Sequence, residues 1–275
     1  MKRISYLIIC AAALLLAASC APKSESFRFI QISDPQIGFN PGDEKATIDW
    51  FSRTIDRIEE LAPDFVICTG DMTHNMFDNN WQIAAFDSLL ARMPESIPVY
   101  FTPGNHDYRT KEWPGGRDFY AEHYGESTFC FMHNLVKEGL VDQEAEQFAW
   151  LQTQLRELGP GADHIFVFHH CPVVSTSVDE EDTYSNFPEP YRSKYLKLFA
   201  DNGVTAVFTG HCHRTAELEV DGVSLVNCGA SGIPLGENNA DGTPNTHCLN
   251  VVDVTPSEAT WNIIPVDGGQ EESNE

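Results

Sequence analysis

Positive charge is what this sequence has least of. Its 275 residues carry 17 Lys and Arg against 41 Asp and Glu, a formal net charge of −24 at pH 7. A surface so acidic repels polyanions, which argues against DNA, RNA or anionic headgroups as partners. The eight cysteines include no C-x-x-C pair, so nothing suggests a zinc ribbon. Internal repeats and long low-complexity tracts are also missing, which sets aside solenoids and arrays. The longest apolar run, 4–18, is too short for a comfortable membrane span.

That run has the form of an export signal behind Lys2 and Arg3. Leu16-Ala17-Ala18-Ser19-Cys20 resembles a bacterial lipobox, which predicts cleavage before Cys20 and lipid on its new N-terminus. Several acyl chains on one residue hold a soluble domain stably, where a single chain binds only marginally. Ala21, rather than Asp, favours the outer membrane of a two-membrane host. The expectation is a signal peptide over 1–19, a polar tether over 20–26, and an exported periplasmic or outer-membrane lipoprotein. Such a chain touches the membrane only through its lipid, and a monomer is expected. Removing Lys2 and Arg3 with the leader leaves 15 basic residues against 41 acidic ones, a net of −26. Six cysteines remain beyond Cys20, and an oxidising compartment permits disulfides without settling which of fifteen pairings forms.

Strand-like and helix-like patterns alternate through most of the chain, so one α/β domain over 27–266 is expected. Runs at Phe27–Ile32, Phe65–Thr69, Val99–Thr102, Ile165–Phe168 and Ala206–Thr209 read as buried strands. Apolar steps of three and four at Ile48, Phe51, Ile55, Ile58 and Leu61 mark an amphipathic helix ended by Pro63. Further helices are predicted over Trp81–Arg92, around Phe148–Leu158, and over Tyr191–Ala200. After residue 214 the pattern changes to short strands that fit an antiparallel meander, with Asp221-Gly222 as a hairpin turn. Those strands are expected to form a second sheet packed on the first. The tail Asp267–Glu275 is acidic and Gly-rich and is expected to be disordered.

Each buried strand ends in a polar cluster: Asp34-Pro35-Gln36, Gly70-Asp71, Gly104-Asn105-His106-Asp107, His169-His170-Cys171-Pro172 and Gly210-His211-Cys212-His213. If the strands share one sheet, the clusters gather at one edge, where open α/β sheets bind ligands. Carboxylate, imidazole and amide oxygen together suit borderline divalent metals. Asp71 at a sharp turn is placed to bridge two cations. His106 reads as a general acid, with Asp107 accepting from its other ring nitrogen and fixing the tautomer. His211 and His213, two residues apart, point to one side of an extended segment. The adjacent His169 and His170 point oppositely, so one of them is expected to be a ligand.

In order and residue type these clusters resemble the calcineurin-like metallophosphoesterase superfamily, whose pattern is Asp-x-His, Gly-Asp, Gly-Asn-His-(Asp/Glu), His and Gly-His-x-His. The resemblance spans about residues 27–236. Asp34-Pro35-Gln36, the Val207–Arg214 stretch and the acidic run Asp179–Tyr184 are most similar to the branch of single-domain calcineurin-like phosphoesterase domain-containing proteins. The eukaryotic member of that branch is a Ser/Thr phosphatase. The resemblance implies a four-layer α-β-β-α sandwich and two metal ions of Fe, Mn or Zn. One metal is implied at Asp34, Gln36, Asp71 and His213, the other at Asp71, Asn105, His170 and His211. His170 takes precedence over His169 because the family ligand commonly precedes x-Pro, here Cys171-Pro172. His169 and Arg214 are the remaining candidates for contact with substrate.

The implied reaction is hydrolysis of a small-molecule or protein phosphate ester by metal-activated water, with His106 protonating the leaving group. A phosphomonoesterase, phosphoprotein included, is favoured over a phosphodiesterase or nucleotidase, and over a weakly catalytic metal- or ligand-binding lipoprotein. Two departures stand out. Gln36 occupies a position that is His in most members. The segment Tyr124–Val141 looks too short for the usual strand pair, which predicts a trimmed sandwich edge.

Overall fold

The computed structural model describes residues 26–39, 43–75, 80–107, 119–137 and 139–268. The signal peptide, Cys20 and the lipid attachment expected there lie outside the described residues, as does the tail beyond Gly268. Within the described residues no helix is long and apolar enough to cross a membrane.

Fifteen elements follow in chain order: β1 (Phe27–Ile32), α1 (Glu44–Leu61), β2 (Phe65–Cys68), α2 (Asn80–Leu90), β3 (Val99–Phe101), β4 (Tyr120–Tyr124), β5 (Ser127–Phe131), α3 (Val141–Leu158), β6 (Ile165–Phe168), α4 (Tyr191–Asp201), β7 (Ala206–Thr209), β8 (Ala216–Val220), β9 (Val223–Asn227), β10 (Cys248–Thr255) and β11 (Glu258–Pro265). The left-handed Ala62 closes α1 by donating to Glu59 and Ile58, and Pro63 cannot continue it.

The five site-bearing strands do not share one sheet. A five-stranded sheet runs β11-β10-β1-β2-β3 and a six-stranded sheet runs β4-β5-β6-β7-β9-β8. Nor do the late strands form a sheet of their own. β10 joins the first sheet antiparallel to β1, and β9 joins the second parallel to β7. Both mixed sheets are therefore closed by the C-terminal part of the chain.

Phenylalanine explains the pairing. The facing surfaces bury Phe27, Phe29, Phe65, Phe129, Phe131, Phe166, Phe168 and Phe208 together. Phe29 stacks on Phe65 at 5.3 Å and meets Phe129, Phe166, Phe168 and Phe208 edge-on at 5.7–5.9 Å. The alternate residues of the same strands turn outward, and α1 and α2 cover one sheet through Phe51, Ile55, Ile58 and Phe86. α3 and α4 cover the other through Leu151, Leu155, Tyr195 and Phe199. The result is the expected α-β-β-α order.

The edge expected to be trimmed is intact. β4 and β5 pair antiparallel from Tyr120–Phe131 to Tyr124–Ser127, around a turn at Gly125-Glu126. Phe129–Phe131 belong to one strand, and their partner comes from upstream, where the sequence pattern gave no strand signal.

Phe29 has no exposed surface. Phe29→Ala is expected to lower stability by about 3–5 kcal/mol, the usual cost of emptying an aromatic core site. Urea unfolding followed by tryptophan fluorescence measures it.

Candidate metal centre

Because both sheets present their C-terminal strand ends on the same side, the five clusters still meet. The sheets are also tied by a polar layer directly beneath. Gln31 donates across the sandwich to the Thr209 carbonyl at 2.9 Å and within its own sheet to Thr69 Oγ1 at 3.2 Å. Asn250 donates to Gln31 Oε1 at 3.1 Å.

The turns above this layer are strained. Asp34, Gln36, Asp71, His211 and His213 all have positive φ, between 38° and 69°. Left-handed backbone is uncommon outside glycine and asparagine and persists where the surroundings enforce it. Here the enforcement is mutual: Asp34 N donates to Gly70 O at 3.1 Å and Gln36 N to Asp71 O at 2.8 Å. Gly210 and Gly104 permit the approach, since a Cβ on the first would collide with Ser33 and Asp34, and one on the second with Asp71. His211 and His213 thus reach the site from a bent loop, not from an extended segment.

Two buried carboxylates form the centre. Asp34 Oδ2 accepts from Ser33 Oγ at 2.5 Å and from the His211 amide at 2.9 Å. Its Oδ1 has no hydrogen-bond partner and lies 3.3 Å from His213 Nε2 and 3.8 Å from His170 Nε2. Asp71 Oδ1 accepts the His106 amide at 2.9 Å, and Oδ2 lies 3.2 Å from His170 Nε2. Asp71, His170 and His211 can bring one donor atom each within 4.8 Å of one another.

Every candidate imidazole is aimed by a carbonyl on its other nitrogen. His170 Nδ1 sits 2.7 Å from Thr69 O, His211 Nε2 3.0 Å from Tyr184 O, and His213 Nδ1 2.6 Å from Ile233 O. That leaves His170 Nε2 and His211 Nδ1, 3.3 Å apart, and His213 Nε2 facing the carboxylates. Two further oxygens, Gln36 Oε1 and Asn105 Oδ1, are buried without a hydrogen-bond partner. Unpaired acceptors are costly to bury. Three of them beside carbonyl-anchored imidazoles fit a bound cation.

The electrostatics agree. Burial pushes the Asp34 carboxyl up, but the facing His213 and His170 outweigh it and hold it below the usual carboxylate range. Burial pulls His170 down, yet Asp71 and Asp34 lift it to about 10, so this point of the site calls for positive charge. His211, buried beside His170, falls to about 4 and stays a neutral donor.

Three expected roles change. His106 Nδ1 lies 2.6 Å from the His74 carbonyl, so His74 and not Asp107 sets its tautomer. Asp107 instead accepts from the Gly104 and Met72 amides at 2.9 and 3.1 Å, clamping the two loops that carry Asp71 and Asn105. Burial, then the charge of Asp71, raises its carboxyl to about 7. His169 is fully buried against Phe187 and offers substrate nothing, and burial drives its imidazole to about 3. Arg214 makes no ion pair among the described residues and lines a separate 790 Å³ cleft with Glu217, Asn239 and Trp261. None of the six described cysteines forms a disulfide.

Ser33 and His74 escaped the sequence reading, and Tyr184 entered it only as the end of the acidic run, with no role at the site. Their contributions are a hydroxyl beside Asp34, a backbone carbonyl, and a loop residue far away in the chain. None of these has a motif. The acidic run before Tyr184 does not bind the centre either. Glu180 accepts from the amides and hydroxyls of Ser175 and Thr176 at 2.7–2.9 Å, and Asp182 pairs with Arg192 at 2.8 Å.

A buried set of carboxylate, imidazole and amide donors at the strand ends of an α-β-β-α sandwich defines a metal-dependent hydrolase. The calcineurin-like phosphoesterase model matches residues 27–215, which contain all five clusters. The chain belongs to that family and is a metallophosphoesterase. It is 30% identical to serine/threonine-protein phosphatase CPPED1 of Bos taurus, over 88% of this chain and 84% of the relative. It is 29% identical to the Danio rerio CPPED1, over 84% and 82%. Among solved structures, a dimetal phosphatase from Danio rerio superposes with a TM-score of 0.62 at 13% identity, covering 86% of this chain and 98% of that one. GAP50 of Plasmodium superposes at 0.63 with 15% identity, covering 89% and 86%. At such identities the structures share the fold.

Glu180 supplies a pH test outside the metal centre. Burial pushes its carboxyl up, but its loop donors outweigh that and bring it from 4.5 to about 2. A depressed value stabilises the fold above pH 4.5 and loses that contribution as the pH falls towards 2. Glu180→Gln should cost about 1–2 kcal/mol at pH 7, from lost charge-assisted hydrogen bonds. In urea unfolding at pH 7, 5 and 4, the gap to wild type should narrow only below about 4.5.

Proposed function

We propose that the protein is a phosphomonoesterase that works with two metal ions and uses His106 as general acid. The observation that carries this reading is the convergence of three unpaired buried oxygens and three carbonyl-aimed imidazoles beside a partly exposed His106. Asp34, Gln36, Asp71 and His213 hold one metal in this reading, and Asp71, Asn105, His170 and His211 hold the other. Donors of these types suit Fe, Mn or Zn. The metals supply Lewis-acid polarisation of phosphoryl oxygens and a lowered pKa for water.

The chain's own residues do the rest. Asp71 belongs to both sets and would serve both. His106 donates Nδ1–H to the His74 carbonyl, so Nε2, 3.9 Å from Asp71 Oδ2, is the nitrogen that takes up a second proton and passes it to the leaving oxygen. Asp107 keeps the Gly104 and Met72 amides in place around that proton path. Gln36 is a neutral oxygen donor where the superfamily pattern Asp-x-His has His, so the first site is the weaker of the two. The similarity to CPPED1 phosphatases supports phosphorylated serine and threonine as substrate class. The leader sequence supports export and lipid anchoring at Cys20.

The test is a phosphate-ester panel on metal-loaded protein, with aryl phosphate, bis-aryl phosphate and phosphoserine peptides, alongside metal analysis. Turnover of the monoester is expected to exceed that of the diester. His106→Asn should lower kcat about 10²–10⁴-fold with metal content unchanged. Asp71→Asn should remove bound metal and turnover while circular dichroism shows the fold retained. Tight metal uptake with no turnover of any ester would overturn the reading.

A further inference from the structure

Cys228 and Cys248 bring two buried thiols together where the two sheets meet. Cys228 directly follows β9 of the six-stranded sheet, and Cys248 is the first residue of β10 in the five-stranded sheet. The Cys228 amide donates at 2.9 Å to the Thr209 carbonyl, the same oxygen that accepts from Gln31 across the sandwich. The Cys248 amide donates at 3.2 Å to the carbonyl of Ala230. A Cβ on Gly229, the residue after Cys228, would sit 2.7 Å from Cys248 Sγ. The two thiols hydrogen-bond to each other, and this bond, ahead of burial, raises the Cys228 thiol well above its ordinary value. Cys171 and Cys212, by contrast, donate to the backbone carbonyls of Tyr184 and Ser185 at 4.0 and 3.8 Å.

Two thiols buried side by side can pack simply as small apolar groups. Their placement offers more than packing. The chain between them, 229–247, supports the metal centre. Gly232 N donates to Asp34 O at 3.1 Å, Asn245 Nδ2 donates to His213 O at 2.8 Å, and the Ile233 carbonyl aims the His213 ring. A bond between the two sulfurs would close this loop and join sheets that otherwise meet only through non-covalent contacts. Such a cross-link stabilises mainly by restricting the unfolded chain, to a degree set by loop length and limited by strain. Cys248 also lines the 790 Å³ cleft shared with Arg214, which gives an oxidant a way to one of the two sulfurs.

We propose that Cys228 and Cys248 form a disulfide that ties the two sheets together beside the metal centre. The bond does not depend on the phosphoesterase reading. Its oxidant is a small disulfide such as oxidised glutathione. The Cys248 sulfur, as thiolate, attacks that disulfide, breaks its S–S bond and releases one glutathione thiol. The Cys228 sulfur then displaces the second glutathione from Cys248. Two electrons and two protons pass from the cysteines to the two glutathiones, and one S–S bond replaces the one broken. The export proposed from the leader would place the chain where such oxidants prevail.

The test equilibrates the folded, full-length protein in a glutathione redox buffer, blocks the remaining thiols under denaturing conditions and maps the peptides by mass spectrometry. A linked peptide pair containing Cys228 and Cys248 is expected, and dithiothreitol should separate it. In the same buffer with denaturing urea the pairing should scatter over other cysteines, because the fold no longer brings these two together. The oxidised protein should melt roughly 5–10 °C above the reduced one, as closing a loop of this length does. Cys248→Ser should lose both the linked pair and the oxidant-dependent rise. If that variant does not fold, the wild-type protein with and without dithiothreitol makes the same comparison. Recovery of both cysteines singly blocked, a glutathione left on Cys248, or a partner other than Cys228 would overturn the proposal. So would a melting temperature that the bond leaves unchanged or lowers.

Discussion

The contact on which the rest depends is the aromatic interlock centred on Phe29. Two mixed sheets could slide on each other, since apolar packing is non-directional. Rings that meet edge-on from four sides cannot slide without losing their geometry. The registered interlock aligns the strand ends, and the Gln31–Thr209 hydrogen bond repeats the alignment next to the site. Asp34, Asp71 and Asn105 come from one sheet, while His170, His211 and His213 come from the other. The centre exists only because those two halves are held in register.

Local features carried most of the architecture into the sequence. The runs at Phe27–Ile32, Ile165–Phe168 and Ala206–Thr209 form strands with those bounds, and the amphipathic steps from Ile48 to Leu61 lie on α1. Pairing partners were not legible, because β10 against β1 is a relation between residues more than two hundred positions apart. β4 was missed because Tyr120–Tyr124 is a half-exposed edge strand with no alternating pattern. At the site, residue types at strand ends announced the donors. What escaped was whatever acts through the main chain: the carbonyls of Thr69, His74, Tyr184 and Ile233 that aim the four rings. Any residue type has a carbonyl, so no motif can mark it.

Asp107 and Glu180 show that a carboxylate near such a centre need not serve it chemically. Each spends its oxygens on backbone amides of neighbouring loops, and each departs from ordinary acidity in the opposite direction. Asp107 is buried next to another negative charge and is raised to about 7. Glu180 is surrounded by donors and is lowered to about 2. Net acidity of the chain therefore says little about the potential at any one acid.

The place of β1 between β10 and β2 has a consequence for how the molecule comes into being. The first strand is hydrogen-bonded to Gln31–Asn250 and Phe27–Val254 pairs that are synthesised last. The five-stranded sheet can therefore not be completed before β10 and β11 have emerged, and long-range pairing of this kind is slow to form. The polypeptide stays without its final fold until nearly all of it has been made. Its candidate ligands, divided between the ends of the two sheets, come together only when the sheets pack.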